Sequence, residues 1–264
     1  DITVGIVGCG EVGSRFARKL SNLGVAVKVC DPPLEKTVSG NRNSAPKYFS
    51  SLEGIAQCDV ISLHTPLIKQ GAHPTAGMID AKFLAALNSG AVLFNTCRGG
   101  VVNEKDVLAY SREKEDFTYV ADVWENEPSL SSEIVNAARI ATPHIAGYSR
   151  ESKYAAVNML RDSLGDFVGA EKTQAVMSAS QDKTDNYAIE NFESLQAILS
   201  QKLSLRQIDK DLKAAVNSDS VLNYFDAARK QLVSRREYGS LVLGKTRLEE
   251  FDRNVLTELG VTWV

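Results

Sequence analysis

The sequence predicts an α/β protein built on a doubly wound parallel sheet. Short apolar runs of strand length recur through the first half of the chain, and amphipathic helical patterns lie between them. The predicted strands cover residues 2–7, 25–29, 60–63, 91–94, 119–121 and 140–141, and predicted helices include residues 14–20, 81–87 and 106–110. Strands that alternate with helices form parallel sheets through right-handed crossovers, with helices on both faces.

The pattern changes after His144. Residues 151–167 predict one long helix, and a polar stretch over residues 178–184 marks a boundary. Helical segments dominate the rest of the chain. We therefore expect a first domain over residues 1–148, a connecting helix over residues 149–175 and a smaller second domain over residues 176–264.

The composition is that of a globular protein. The 264 residues are 44% hydrophobic, which is enough for a buried core. A formal net charge of −3 provides no basic surface, so neither DNA nor RNA is expected as a partner. The longest apolar runs fall far short of the ~20 residues of a membrane span, so no membrane segment is expected.

The four cysteines predict reduced thiols. Cys9, Cys30, Cys58 and Cys97 lie far apart, without the spacing of a zinc site or of a disulfide framework. The chain opens directly on an apolar run, without the charged and then hydrophobic leader of secreted proteins. We expect a cytoplasmic protein without a metal ion, and we interpret the chain as a fragment of a longer one.

A G-x-G-x-x-G motif follows the first predicted strand and opens a predicted helix, which is the context that gives this motif meaning. Gly8 permits the tight turn, Gly10 lets the backbone approach a pyrophosphate, and Gly13 lets the helix pack against the strand. The helix N-terminus offers unpaired N–H groups to the anion. Gly8, Gly10, Val12 and Gly13 thus predict a dinucleotide site, the alternative being a Gly-rich turn without a ligand.

Asp31 ends the second predicted strand, eighteen residues beyond Gly13. In Rossmann-type domains an acid at this place binds the ribose hydroxyls of the adenosine. A carboxylate would repel the 2′-phosphate of NADP, so Asp31 favours NAD as the cofactor. The alternative is a solvated acid at the end of a strand.

Three polar segments, residues 95–100, 122–128 and 142–147, each follow a predicted strand. The carboxyl ends of parallel strands line the ligand crevice, so we expect these segments to meet there. Arg98 can hold a carboxylate by a two-pronged hydrogen bond. His144 can take the proton of a hydroxyl group, and Glu127 can orient its imidazole.

Each of these three residues has a structural alternative. Arg98 could cap a turn, Glu127 could be a solvated loop acid, and His144 could be a buried, hydrogen-bonded histidine. Their coincidence beside one crevice favours catalysis, namely the oxidation of a 2-hydroxy acid by NAD. Of the other histidines, we expect His64 to be structural and His73 to be exposed.

The sequence resembles the D-2-hydroxyacid dehydrogenase family, and more narrowly a branch that acts on a small phosphorylated hydroxy acid. The segments that support the resemblance are residues 30–33, 64–67, 97–99, 122–125, 144–148, 225–226 and 235–237. The resemblance implies Arg98, Glu127 and His144 as catalytic residues. It also implies cofactor contacts and one substrate contact; the former are Asp31, Thr65, Asp122 and Gly147, and the latter is Tyr148.

The C-terminal region from residue 176 resembles an α+β dimerisation domain, which implies a homodimer. Members of the family carry a substrate domain before the strand on which this chain opens. Its absence here implies a chain that binds NAD but turns over poorly. We hypothesise that Arg235 or Arg236, delivered by a partner subunit, supplies part of the positive charge that binds the substrate phosphate, the alternative being a solvated helix face.

Two other functions remain open at this point. The first keeps the chemistry but changes the substrate, for example to 3-phosphoglycerate. The second is a non-catalytic NAD(H)-sensing interaction protein, since corepressors that resemble this family retain the same three catalytic residue types. The three residues alone do not separate an enzyme from a sensor.

Overall fold

A computed structural model of the protein describes residues 2–39, 49–169, 195–218, 220–243 and 248–263. The chain divides into two compact units, each described here by itself. The first comprises Asp1–His144 and Leu205–Asp226, and the second comprises Ile145–Ser204 and Ala227–Val264.

The first unit is built on a sheet of six parallel strands. These are β1 (Thr3–Val7), β2 (Ala26–Cys30), β3 (Val60–Leu63), β4 (Val92–Asn95), β5 (Thr118–Ala121) and β6 (Ile140–Ala141), in the order β2-β1-β3-β4-β5-β6. The order reverses beside β1, which creates the crevice that binds ligands in doubly wound sheets. The predicted parallel sheet is confirmed, and all six predicted strands are present.

The register of the sheet aligns the carboxyl ends of all six strands. Val7 pairs with Cys30 and with Leu63, and the same row continues through Asn95 to Ala121 and Ala141. The residues that follow each strand therefore emerge at one edge of the sheet. This edge contains the predicted site residues that follow directly after the strands.

Six helices connect the strands: α1 (Glu11–Asn22), α2 (Pro32–Ser39), α3 (Leu52–Ala56), α4 (Ala81–Ala85), α5 (Glu104–Glu113) and α6 (Ser132–Ala137). Side chains at the N-caps fix where several of them begin. Asp80 accepts from the amide of Phe83 at 2.9 Å, and Asn103 accepts from the amide of Asp106 at 3.2 Å. Such caps satisfy N–H groups that have no partner within the helix.

Helix α9 (Leu205–Asn217) also belongs to the first unit. Its Leu212 is fully buried in the main apolar core. Asp209 accepts a hydrogen bond of 2.8 Å from the amide of Ala141 in the edge strand β6, and Lys213 donates to the carbonyl of Ala138 at 2.8 Å. Helix α9 thus covers the β6 edge of the sheet. The linear division predicted at residue 176 stays a prediction.

The second unit contains the long helix α7 (Arg150–Val168), α8 (Leu195–Lys202), α11 (Glu250–Glu258) and a pair of short parallel strands, β7 (Val242–Leu243) and β8 (Thr262–Trp263). Helix α10 (Val221–Gln231) begins among the residues of the first unit and ends among those of the second. The second unit has its own apolar cluster, formed by Ile198, Leu241, Leu243, Leu248, Leu256 and Val261.

Helix α7 confirms the predicted long helix, and a capping box explains where it begins. The side chain of Ser149 accepts from the amide of Ser152, and the side chain of Ser152 accepts from the amide of Ser149. Gly169 ends the helix in a left-handed conformation. The polar stretch predicted over residues 178–184 lies outside the described residues. Across the described ranges, no helix has the length and apolar character to cross a membrane.

Candidate active site

The Gly-rich turn after β1 leaves open space where an anion could approach. Gly8 has a φ of +88°, and a Cβ atom there would lie 2.7 Å from the carbonyl oxygen of His64. A Cβ atom on Gly13 would lie 2.0 Å from the carbonyl oxygen of Gly8. Gly10 precedes α1, and no atom lies within 4 Å of its added Cβ. Two glycines are therefore required by packing, and the third faces the space that a pyrophosphate needs.

Asp31 holds this turn in place. Its carboxylate accepts a hydrogen bond of 2.8 Å from the amide of Cys9 in the Gly-rich turn, and one of 3.0 Å from the amide of Leu34 at the start of α2. The sequence predicted only a contact with ribose. The structure adds a second role, since the same carboxylate joins the turn after β1 to the helix after β2.

A cavity of about 490 Å³ lies against the turn and Asp31. Thr65 and two histidines are among its lining residues. His64 is half-buried, its Nε2 atom lies 3.0 Å from the hydroxyl of Ser62, and burial lowers the pKa of its imidazole. His73 is exposed. The residues present fit a dinucleotide, because a polar turn and a carboxylate flank a largely apolar cavity.

Arg98 lies on the turn after β4. Its guanidinium donates a hydrogen bond of 2.6 Å to the carbonyl of Cys97, and the side chain is exposed. Gly99 follows where no side chain fits, because a Cβ atom would lie 1.8 Å from the carbonyl oxygen of Trp124. The turn that carries Arg98 is therefore packed directly against the loop after β5.

The structure brings Glu127 and His144 together. The Nδ1 atom of His144 lies 2.7 Å from a carboxylate oxygen of Glu127, and the second carboxylate oxygen accepts from the amide of Trp124 at 2.8 Å. Both side chains are partly exposed, 22% for Glu127 and 30% for His144. The Nδ1–H group therefore donates to Glu127, which directs the basic Nε2 atom away from the carboxylate.

The backbone of His144 is as constrained as its side chain. The residue has a φ of +54°, a conformation that non-glycine residues rarely adopt, and its amide donates to the carbonyl of Asp122 at 2.7 Å. Such conformations persist only where the surroundings impose them. Here the loop after β5 sets the position of the loop after β6.

Asp122 is buried at this junction, with 4% of its surface exposed. Its carboxylate accepts a hydrogen bond of 2.6 Å from the hydroxyl of Thr142, whose carbonyl accepts from the indole N–H of Trp124 at 2.9 Å. Sequence reasoning identified Asp122 only as a cofactor contact and missed Thr142. These bonds join segments about twenty residues apart, and no local pattern in the sequence predicts them.

Glu104, in the first turn of α5, is a second residue that sequence reasoning missed. Its carboxylate accepts from the amide of Glu125 at 2.7 Å, and the carboxylate of Glu125 accepts from the amide of Glu104 at 3.3 Å. Burial raises the pKa of Glu104 to about 7, with smaller contributions from the charges of Glu125 and Glu127. This half-buried carboxyl group supports the loop that holds Glu127.

Three other predicted site residues lie elsewhere. Val12 belongs to the first unit and is 66% exposed on α1. Gly147 and Tyr148 belong to the second unit, where the carbonyl of Gly147 accepts from the hydroxyl of Ser152 at 2.6 Å. Their roles toward the cofactor and the substrate stay predictions.

Comparison with protein families identifies the class of protein. Residues 1–146 match the model of the D-isomer specific 2-hydroxyacid dehydrogenase, NAD binding domain. The chain belongs to this family, and its first unit is an NAD-binding domain. The match covers the sheet, the Gly-rich turn and the three predicted catalytic residues.

Two curated relatives extend the similarity beyond that domain. The erythronate-4-phosphate dehydrogenase of Shewanella violacea is 37% identical over 100% of this chain, which corresponds to 70% of the relative. The protein of the same name from Shewanella sp. (strain DB6705) is 36% identical, and the alignment covers 100% of this chain and 98% of the relative. The similarity thus includes the second unit.

Among solved structures, the D-lactate dehydrogenase of Aquifex aeolicus, complexed with NAD and lactic acid, is 28% identical with a TM-score of 0.52. The match covers 64% of this chain and 54% of that chain. The chain therefore spans about half the length of this neighbour.

Proposed function

We propose that this chain is the cofactor-binding and catalytic part of an enzyme that oxidises 4-phospho-D-erythronate to 2-oxo-3-hydroxy-4-phosphobutanoate with NAD, in pyridoxal phosphate (vitamin B6) biosynthesis. The proposal is supported chiefly by the hydrogen bond of 2.7 Å between Glu127 and His144. The names of the two Shewanella relatives support the choice of substrate.

The first unit would hold NAD along the carboxyl edge of its sheet. The turn from Gly8 to Gly13 would receive the pyrophosphate, and Asp31 would accept hydrogen bonds from the ribose hydroxyls. Val12, Thr65, Asp122 and Gly147 would complete the cofactor contacts, as the family resemblance implies. Bound NAD supplies the hydride acceptor for the reaction.

Arg98 would bind the substrate through its carboxylate. A guanidinium donates two parallel hydrogen bonds to a carboxylate, which fixes the orientation of the neighbouring C2 atom. The same charge stabilises the carbonyl oxygen that forms at C2. The exposure of Arg98 leaves its remaining donors accessible to a ligand.

The Glu127–His144 pair would remove the proton. As the C2–H bond breaks and the hydride leaves, the Nε2 atom of His144 takes the proton of the C2 hydroxyl, and a carbonyl group remains. The proton gives the imidazole a positive charge. Glu127, hydrogen-bonded to Nδ1, stabilises that charge and keeps the ring in the productive orientation.

The remaining parts of the proposal concern the whole protein. We propose Tyr148 as a substrate contact, the region from residue 176 as a dimerisation domain, a homodimer as the assembly and the cytoplasm as the location. The similarity of the whole chain to its relatives is compatible with this organisation.

The test measures NADH by absorbance after 4-phospho-D-erythronate and NAD are added. This chain is compared with a version preceded by the N-terminal domain of the Shewanella violacea relative, and His144→Asn in that version serves as the inactive control. We expect substrate-dependent NADH in the extended version and little in the chain alone. If the extended version binds NAD but forms no NADH, the proposed substrate is wrong, and another hydroxy acid or an NAD(H)-sensing role takes its place.

A further inference from the structure

Two cations lie against one aromatic ring in the second unit. The ammonium group of Lys153 lies 4.7 Å from the centroid of the Tyr148 ring, and the guanidinium carbon of Arg229 lies 4.6 Å from the same centroid. An aromatic face attracts a cation at such distances. Two positively charged groups therefore lie against one ring.

The arginines singled out from the sequence have other contacts in the same unit. Arg235 donates to the carbonyl of Tyr148 at 2.8 Å, and Arg236 donates to the carboxylate of Glu151 at 2.5 Å. These bonds fasten the segment after α10 to the start of α7. Arg235 and Arg236 thus help to place the Tyr148 ring, and the cations at that ring are Lys153 and Arg229.

The surroundings of the ring are strongly positive. The two segments that meet there, residues 148–153 and 229–237, contain six cations and only two acids. The cations are Arg150, Lys153, Arg229, Lys230, Arg235 and Arg236, and the acids are Glu151 and Glu237. Pairing between them does not change their net charge of +4, in a chain whose net charge is −3. A local excess of one sign attracts ligands of the other.

The two carboxylates have identified roles in holding the segments together. Glu151 accepts from Arg236 and also from the amide of Glu237 at 3.0 Å. The carboxylate of Glu237 accepts from the hydroxyl of Ser149. These contacts anchor the framework, while Lys153 remains exposed and Arg229 and Tyr148 are half-buried. The two segments that carry the ring and its cations are therefore joined to each other, and the ammonium group of Lys153 is accessible to solvent.

We propose that Lys153 and Arg229, beside the ring of Tyr148, form a binding site for a phosphate monoester dianion. An ammonium group offers three donors and a guanidinium a planar fork, and both match phosphate oxygens. The identification of this phosphate as that of the substrate rests on the proposed function; the site itself does not.

The first experiment measures binding without turnover. Inorganic phosphate is titrated into the ¹⁵N-labelled chain at a pH where it is dianionic, with ionic strength held constant by NaCl. Lys153→Met keeps the apolar stem and removes the charge, and we expect about tenfold weaker binding, the loss of one charge-assisted hydrogen bond. Lys82→Met, at an exposed position on α4, is the matched control and should bind as the unmodified chain does.

Arg229→Lys and Arg229→Met separate charge from packing. The lysine variant should retain most of the phosphate affinity, and the methionine variant should lose about tenfold. Saturable binding that Lys153→Met weakens supports the proposal. Absence of saturable binding to the unmodified chain, or equal affinity in Lys153→Met and Lys82→Met, overturns it.

A second experiment links the site to the substrate. In the extended version with the relative's N-terminal domain, Lys153→Met should raise KM for 4-phospho-D-erythronate about tenfold, leave kcat nearly unchanged and leave KM for unphosphorylated erythronate unaffected. Phosphate binding at Lys153 without oxidation of 4-phospho-D-erythronate would reject the proposed function and keep the site. Oxidation with an unchanged KM in Lys153→Met would keep the proposed function and reject the substrate phosphate as the ligand of this site.

Discussion

At the scale of single residues, the functional side chains are positioned by their backbone neighbours. Glu127 is fixed by the amide of Trp124, and His144 is fixed by both Glu127 and the carbonyl of Asp122. The pair is therefore organised before any substrate arrives, which is the condition for efficient proton transfer. Because each side chain of the pair orients the other, a change in Glu127 should also impair the function of His144.

Glu127→Gln tests that dependence. The amide keeps the shape of the side chain but loses the charge that stabilises the imidazolium, so kcat/KM for hydroxy-acid oxidation should fall by about 10²–10⁴. NADH formation by the extended version measures the loss. Glu133→Gln, at an exposed acid on α6, should change kcat/KM less than twofold. A loss below about threefold in Glu127→Gln would remove Glu127 from the mechanism.

Glu104 predicts a pH dependence of stability. The carboxyl group of Glu104 has a pKa of about 7 in the folded chain against an ordinary value of 4.5, because burial disfavours its charged form. The folded state is therefore favoured when the group is protonated, and this contribution is lost as pH rises from about 4.5 to 7. In Glu104→Gln this loss is absent.

Urea unfolding at pH 5 and at pH 8 measures the effect. Relative to the unmodified chain, Glu104→Gln should be more stable at pH 8 than at pH 5 by about 1–3 kcal/mol, a range reduced for partial exposure of the group. Groups common to both chains cancel in the comparison. An equal difference in unfolding free energy at both pH values would show that Glu104 does not titrate in this interval.

The Gly-rich turn gives a prediction that separates binding from folding. Gly10→Ala places a methyl group in open space, so stability should stay within about 0.5 kcal/mol, while NAD affinity falls because the methyl occupies the approach of the pyrophosphate. Gly13→Ala should lower both, since its Cβ atom overlaps the carbonyl oxygen of Gly8. NAD titration and thermal unfolding are the measurements. Equal NAD affinity in Gly10→Ala and the unmodified chain would contradict the assigned role.

At the scale of secondary-structure elements, the strands of the sheet could be predicted from the sequence, but the complete set of helices that pack against the sheet could not. Each strand is a short apolar run, and burial on both faces makes such runs visible in the sequence. Helix α9 has an equally visible apolar face, but periodicity does not reveal which surface that face will cover. Its contact with β6 depends on Asp209 and Ala141, which are 68 residues apart.

The burial of α9 can be measured with a matched pair of substitutions. Leu212→Ala removes a fully buried side chain and should lower the free energy of unfolding by about 2–5 kcal/mol. Leu222→Ala makes the same chemical change on α10 at a position that is 54% exposed, and should cost less than about 1 kcal/mol. Equal losses in urea unfolding would show that α9 is not part of the core of the first unit.

The candidate site likewise contains residues that could be predicted from the sequence and residues that could not. Arg98, Glu127 and His144 were predictable because each follows a strand, and the register brings strand ends together. Glu104 and Thr142 were not, because their contacts arise from the approach of loops distant in sequence. The contacts of Lys153 and Arg229 with the ring of Tyr148 were not predicted for the same reason.

At the scale of the whole molecule, the boundary of a family domain differs from the boundary of a structural unit. The family model ends at residue 146, but the core of the first unit includes Leu212, Val216 and Phe225. A chain ending at residue 148 would expose the apolar surface that these residues cover. We expect it to bind a hydrophobic dye and to elute as aggregates in gel filtration, in contrast to residues 1–264. A monomer with the same thermal stability would contradict this.

Helix α9 also has a consequence for the order of synthesis. Asp209 leaves the ribosome 68 residues after Ala141, a delay of roughly 3–14 s at ordinary rates of translation. Throughout that interval, α9 is not yet available to cover the edge strand β6 or the apolar surface against which Leu212 packs. The nascent protein therefore passes through a stage in which all six strands of the sheet have been synthesised and α9 has not. At this stage the apolar surface that α9 later covers is available for a chaperone to bind.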